Sequence, residues 1–202
     1  MGARFIVFEG GEGAGKSTQA RLLAERLGAE LTREPGGSPL GEHLRSLLLE
    51  HRLGPLDPRA ELLLVAAARA QHVAERIRPA LAAGRSVVCD RFSGSTLAYQ
   101  GYGRGLPLAQ VEAVCRVASD GLVADLTILL DVPLEVAASR RAGARDRIEA
   151  EDPHFHRRVA AGFHALAAGD PDRWAVIDGT GDPGAVHARV LALLAARFEE
   201  VA

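Results

Sequence analysis

Short apolar runs alternate with longer amphipathic stretches along this chain. Residues 5–8 (FIVF) read as a buried parallel strand, and 86–89 (SVVC), 126–130 (LTILL) and 175–177 (AVI) as strands, with 30–32 (ELT) as a further short one. Between them the apolar period becomes helical. Residues 17–27 place Ala20, Leu23, Ala24 and Leu27 on one stripe and stop at Gly28. Further helices are predicted at 40–50, at 58–82, at 97–102, at 108–120, at 133–141 with Pro133 suited to the first turn, at 153–168 and at 183–198. The short, densely charged stretch 142–152 reads as a flexible loop. This alternation predicts an α/β fold: a five-stranded parallel sheet with helices on both faces. Ligands in such sheets sit at the carboxyl ends of strands, where residues 10–16, 33–37 and 90–91 all fall.

Composition narrows the class. With 202 residues, 48% hydrophobic and 25% charged, the chain can bury one good core, so a single domain over 1–202 with a short lid near 140–152 is expected. No apolar run approaches the ~20 residues of a membrane span, and no basic-then-apolar leader is seen, so no membrane partner is expected. A net charge of −2 argues against nucleic acid as the partner. Two cysteines, Cys89 and Cys115, are too few for a disulfide framework or a four-ligand zinc site, and a reducing cytoplasm is the expected location. One detail stands apart. Of 24 basic residues 23 are arginine, and Lys16 is the only lysine. A drift toward arginine explains the 23 but not the survivor.

Residues 10–17, Gly10-Gly11-Glu12-Gly13-Ala14-Gly15-Lys16-Ser17, match G-x-x-x-x-G-K-[ST] between a predicted strand and a predicted helix. Glycines let backbone N–H groups turn inward, and the helix N-terminus adds partial positive charge, so a triphosphate meets a ring of donors. Lys16 can reach the β- and γ-phosphates, and the Ser17 hydroxyl can ligate Mg²⁺. With Thr18, these residues are the candidate ATP site of a P-loop NTPase fold. Arginine is bulkier and prefers forked geometry, which gives a chemical reason for the lone lysine to persist. A GTPase normally selects guanine with Asn-Lys-x-Asp, and a chain without a second lysine cannot carry that motif. Asp90 and Arg91 end an apolar strand, where a carboxylate can orient Mg²⁺ through water and a guanidinium can bridge phosphates; a plain surface ion pair is the other reading. Glu12 sets a carboxylate inside the cradle, and on its own reads as a side chain turned either to the site or to solvent.

Three further stretches follow in order: TREPGG at 32–37, CDR at 89–91 with STLAYQGYGRG at 95–105, and DRIE at 146–149 with FHRRV at 155–159. Together with FEGGEGAGKST they make the chain resemble bacterial thymidylate kinases from residue 4 to about residue 180. The resemblance implies transfer of the ATP γ-phosphoryl group to dTMP, Mg²⁺ as cofactor, and a homodimer packed through helices. It implies Lys16 and Arg91 as catalytic groups, with Arg91, Pro35 and Arg45 near the dTMP phosphate. Glu12 is implied beside the sugar 3′-hydroxyl, Arg69 on a thymine carbonyl, and Thr96, Tyr99 and Gln100 around base and sugar. It further implies a cis Glu34–Pro35 bond. Without the resemblance, Arg45, Tyr99 and Gln100 read equally as ordinary helix-surface residues. The cluster Arg140, Arg141, Arg145 and Arg147 resembles a lid over ATP that supplies transition-state charge, Arg147 first and Arg140 second, because Gly13 stands where other members carry a P-loop arginine. His154, His156 and His164 are expected in packing or at the surface, since nothing offers a third metal ligand.

Two positions depart from the family pattern. Val65 stands where a phenylalanine usually stacks on thymine, a loss of roughly 0.5–1.5 kcal/mol. Phe92 follows Asp90–Arg91 where tyrosine or histidine is common. Two other functions therefore stand beside the first: a kinase of another acceptor such as dUMP or a deoxynucleoside, and an ATP-gated binding module. The acceptor-side motifs argue against a pure switch, and the cysteine count excludes a zinc-lidded adenylate kinase.

Overall fold

The computed structural model describes residues 2–50, 54–140 and 146–198. Strands β1 (Phe5–Glu9), β2 (Glu30–Arg33), β3 (Val87–Asp90), β4 (Leu126–Asp131) and β5 (Trp174–Asp178) form one parallel sheet in the order β2-β3-β1-β4-β5. The central strand β1 is buried throughout because both its faces are covered. Its alternate side chains go opposite ways. Ile6 and Phe8 pack with Ala20, Leu23 and Ala24 of α1 (Lys16–Leu27) and with Val186, Val190 and Leu194 of α9 (Pro183–Arg197). Phe5 and Val7 pack with Val73, Ile77 and Ala80 on the other side.

Each core strand runs one residue further than its apolar pattern, so that Glu9, Asp90, Asp131 and Asp178 are the last residues of four strands. Carboxylates thereby cluster at the edge where ligands bind. The helical stretch predicted over 58–82 is α3 (Pro58–His72), a wider π-helical turn (Val73–Ile77) and α4 (Arg78–Ala82) in direct succession. Pro79 has no N–H to continue the ladder and its ring crowds the preceding turn, which the wider turn accommodates.

The predicted helix at 97–102 is a π-helical segment, Leu97–Gly103, that continues a short helix α5 (Ser93–Thr96). It lies against α8 (Pro153–Gly169) through Tyr99, Phe155, Val159 and Phe163. Helices α2 (Pro39–Leu49) and α6 (Leu108–Ser119) flank α3, and the short α7 (Leu134–Ser139) leads to the lid. Arg141 and Arg145 lie outside the described residues. The remainder of the lid is not a loose loop: Asp146 Oδ1 accepts the N–H groups of Ile148 and Glu149 at 2.9 and 2.8 Å, closing a capped turn.

Candidate active site

The glycine loop leaves β1 and enters α1 with Gly10, Gly13 and Gly15 at φ of 142°, 78° and 93°. These values favour glycine, and at Gly13 space demands it as well. A Cβ there would lie 2.2 Å from the Ala137 carbonyl oxygen of α7. No arginine fits at this position, so charge on a transferring phosphoryl group has to come from elsewhere. Lys16 is only 5% exposed and its ammonium donates to the Gly11 carbonyl at 2.7 Å, across the loop formed with Glu12 and the buried Ala14. Burial first, then the like charge of Arg91, depresses its pKa, while Glu12, Asp90 and Glu9 pull the other way. A phosphate in the cradle would restore the full charge. Ser17 and Thr18 follow in the first turn of α1.

Ser17 Oγ donates to Asp90 Oδ2, which joins the P-loop to the end of β3. The other Asp90 oxygen, Oδ1, is buried and has no hydrogen-bond partner. An orphaned carboxylate oxygen beside a hydroxyl, at the mouth of a phosphate cradle, fits a hard divalent cation or one of its waters. Among the described residues no group of three His, Cys, Asp or Glu side chains could hold a metal alone, so phosphate oxygens would have to complete such a site.

Arg91 follows with φ of 73°, a left-handed conformation uncommon for a side-chain-bearing residue and typical of constrained sites. Its guanidinium donates to the Gly10 carbonyl and to Ser95 Oγ at 3.0 and 2.9 Å, to Tyr99 OH at 3.3 Å, and is ion-paired with Glu12. Glu12 thus turns inward rather than to solvent. Burial opposes its ionisation, but Arg91, Lys16 and the hydroxyl of Tyr99 outweigh it and hold the carboxyl at about 2. Glu9, the last residue of β1, accepts from the Phe92 and Ser95 N–H groups and from Ser95 Oγ, and so anchors the start of α5. Burial raises its pKa.

One pocket brings the other predicted residues together: Glu12, Pro35, Arg45, Arg69, Arg91, Thr96, Tyr99 and Gln100 all line it, with Val65 and Phe92. The Glu34–Pro35 bond is cis, and the Pro35 carbonyl accepts from Arg45 at 2.9 Å. Burial, followed by repulsion from Arg33, lowers the pKa of Arg45, and Arg91 adds to that repulsion. Arg45 and Arg91 are therefore two cations facing one pocket, which favours an anion there. Arg69 is 1% exposed and locked: Nε donates to Glu34 at 2.7 Å and Nη2 to Thr96 Oγ1 at 2.9 Å, while the guanidinium lies 4.9 Å over the Phe92 ring. Burial works against its charge and Glu34 more than compensates. His72 supports Glu34 from behind, with Nδ1 2.9 Å from Oε1 and Nε2 2.6 Å from Thr32 Oγ1.

The two lid arginines among the described residues, Arg147 and Arg140, are bonded elsewhere than expected. Arg147 does not point at the P-loop; it donates to the Leu48 carbonyl at 2.8 Å and to Glu61 at 2.7 Å, two residues that line the pocket just described. Arg140 donates to the carbonyls of Gly179 and Gly181, beyond β5. The reason is electrostatic in one case and local in the other. Glu61 is a buried carboxylate that attracts guanidinium groups, and Arg140 caps a turn of bare carbonyls. Glu61 also takes Gln100 and Arg104, and Arg104 continues to Glu151 at 2.6 Å. Asp146 and Ile148 of the lid line the same pocket as Arg45 and Arg69. Sequence reasoning missed Glu61 altogether, although its spacing of four from Val65 and again from Arg69 puts all three on one helix face. Of the three histidines, His164 lies 3.2 Å from Asp131 and His156 Nε2 is buried without a partner.

A family model described as thymidylate kinase matches residues 8–190. A thymidylate kinase of Synechococcus sp. (strain JA-2-3B'a(2-13)) is 54% identical over 96% of this chain and 95% of its own length. One from Solidesulfovibrio magneticus is 53% identical over 90% of this chain and 94% of its own. Among solved structures, a thymidylate kinase from Ehrlichia chaffeensis superposes with a TM-score of 0.79 at 37% identity, covering 96% of this chain and 99% of that one.

Proposed function

We propose, because the chain belongs to the thymidylate kinase family, that it catalyses ATP-dependent phosphorylation of dTMP to dTDP. The observation that carries this reading is the meeting of two anion sites. Glu12 joins them: it sits in the glycine loop that Lys16 closes onto the Gly11 carbonyl, is ion-paired with Arg91, and lines one pocket with Arg45, Arg91 and the buried Arg69. A switch protein has no use for the second site. Catalysis then rests on positioning and electrostatics rather than on a covalent intermediate. Residues 10–18 bind the ATP phosphates. Lys16 and Arg91 offset charge on the group in flight, Arg91 and Arg45 hold the acceptor phosphate beside Pro35, and Glu12 and Tyr99 meet the sugar. Arg69, Thr96 and Gln100 read the base.

We assign Mg²⁺ to Ser17 and, through water, to Asp90; bound there it supplies charge neutralisation of the phosphate oxygens. Arg147 reaches the transferring group only if it leaves Leu48 and Glu61, so the clamp role belongs first to Lys16 and Arg91. The 202 residues act as one kinase domain with a lid near 140–152. The substrates we assign are the small molecules ATP and dTMP, and the location we assign is the cytoplasm; among the described residues no helix is long and apolar enough to cross a membrane. Exposed Leu40 and Leu47 on α2, Leu63 on α3 and Val117 on α6 support a homodimer through these neighbouring helices.

A coupled ADP-release assay across dTMP, dUMP, dGMP, AMP and CMP tests the reading. dTMP should be the best acceptor; a different winner overturns the substrate, and no turnover with any of them overturns the kinase. The wall of Val65, Leu48, Leu49 and Ile148 is aliphatic throughout, which makes dUMP the second acceptor to watch.

A further inference from the structure

Gln100 carries an amide that can turn either its oxygen or its nitrogen to the acceptor pocket, and the neighbour that chooses between them is Glu61. Glu61 is 1% exposed in the first turn of α3. Its Oε1 accepts from Gln100 Nε2 at 2.8 Å and from Arg104 Nε at 3.2 Å. Its Oε2 accepts from Arg104 Nη2 at 3.0 Å and from Arg147 Nη2 at 2.7 Å. Burial disfavours the charged form, yet the hydrogen bonds from Arg104, Gln100 and Arg147 prevail, and the carboxyl titrates below its ordinary range. An ionised carboxylate has no proton to give, so only the amide nitrogen can face it. The amide oxygen must then point the other way, and among the described residues no donor reaches it. Gln100 itself is 4% exposed and lines the pocket.

Arg69 lines the same pocket and presents only donors, held in place by Glu34 and Thr96. The pocket therefore offers donors from Arg69, which is bonded to Thr96, and an acceptor from Gln100 one helical turn further along. A pyrimidine edge with a ring carbonyl next to a ring N–H complements it. An edge with an exocyclic amine next to a bare ring nitrogen meets like groups at both points, and a buried mismatch of that kind is costly.

We propose that Glu61 is a specificity-determining positioning residue: by fixing the polarity of the Gln100 amide it makes the pocket accept 4-oxo pyrimidine nucleotides and reject 4-amino ones. The inference rests on the dTMP kinase reading above. Arg147 of the lid binds the same carboxylate, so a docked lid helps to hold the amide in its reading orientation.

The test compares dTMP with 5-methyl-dCMP, which keeps the methyl group and changes only the reading edge. In Glu61→Gln the neighbouring amide can donate, and Gln100 is free to turn over. The ratio of kcat/KM for the two acceptors should fall at least tenfold, mainly through KM for the acceptor, with the KM for ATP unchanged. An unchanged ratio in the folded variant, when the wild type phosphorylates dTMP, overturns this inference alone. A wild type that does not phosphorylate dTMP overturns both readings.

Should Glu61→Gln fail to fold, the wild type still answers. The chain has four glutamines and no asparagine, so its spectrum of side-chain NH₂ groups holds four pairs, and Gln100→Met assigns one of them. The Gln100 pair should be protected from exchange in the free protein and stay so with dTMP bound. Protection that arises only when dTMP is added means the nitrogen faces the ligand, and the proposal is wrong.

Discussion

Glu12 sits within the glycine loop, and it stays ionised because Arg91 and Lys16 are beside it. Its folded pKa of about 2 lies below the ordinary 4.5, so it stabilises the fold above that value and loses the contribution as pH falls toward 2. Wild type should therefore be more stable than Glu12→Gln in urea at pH 7, with the gap narrowing at pH 4 and again at pH 3. A gap independent of pH would mean that the pair adds nothing. Lys16→Ala should leave the thermal unfolding midpoint close to wild type and cost about 10³-fold or more in kcat, as removal of a preorganised charge does. Substantial turnover in a folded Lys16→Ala protein would remove Lys16 from the chemistry. These two residues differ in how far the sequence exposed them. Lys16 belongs to a contiguous motif, so its place was readable. Whether Glu12 turned inward was not, because Arg91 comes 79 residues later.

At the scale of elements, uninterrupted apolar runs located β1, β3 and β4, which are covered on both faces, while the edge strands β5 and β2 expose Val176 and Leu31 and were legible only as short stretches between helical patterns. Their order was not legible, because it depends on which crossovers pack and not on the runs themselves. The π-helical segments were also hidden: a widened turn shifts the period by one residue over a single turn, which a stripe of 3.6 periodicity cannot register. The lid gave the largest discrepancy. Its arginines read as a charge cluster seeking phosphate, but Glu61, 86 residues before Arg147, competes for one of them. Arg147→Ala should accordingly raise the KM for dTMP several-fold and change kcat little, as expected when a ground-state positioning contact is lost. A fall in kcat at unchanged KM would return Arg147 to the transferring phosphoryl group.

The molecule as a whole exposes Leu63 at 60% and Val117 at 81% on adjoining helices, the surface on which the proposed homodimer rests. Leu63→Glu should convert a dimer to a monomer in sedimentation velocity while leaving the circular dichroism spectrum intact; a wild type that sediments as a monomer would refute the homodimer. One feature of the cradle reaches beyond catalysis. Lys16 is the single side-chain amine in the chain, and it is buried against Gly11. Acylating reagents, aldehydes and amine-directed crosslinkers therefore have one internal target, inside the nucleotide site, and ATP should shield it. Acetylation of the one lysine should therefore read out directly as loss of phosphoryl transfer, and the outer surface offers side-chain amine chemistry nothing to hold.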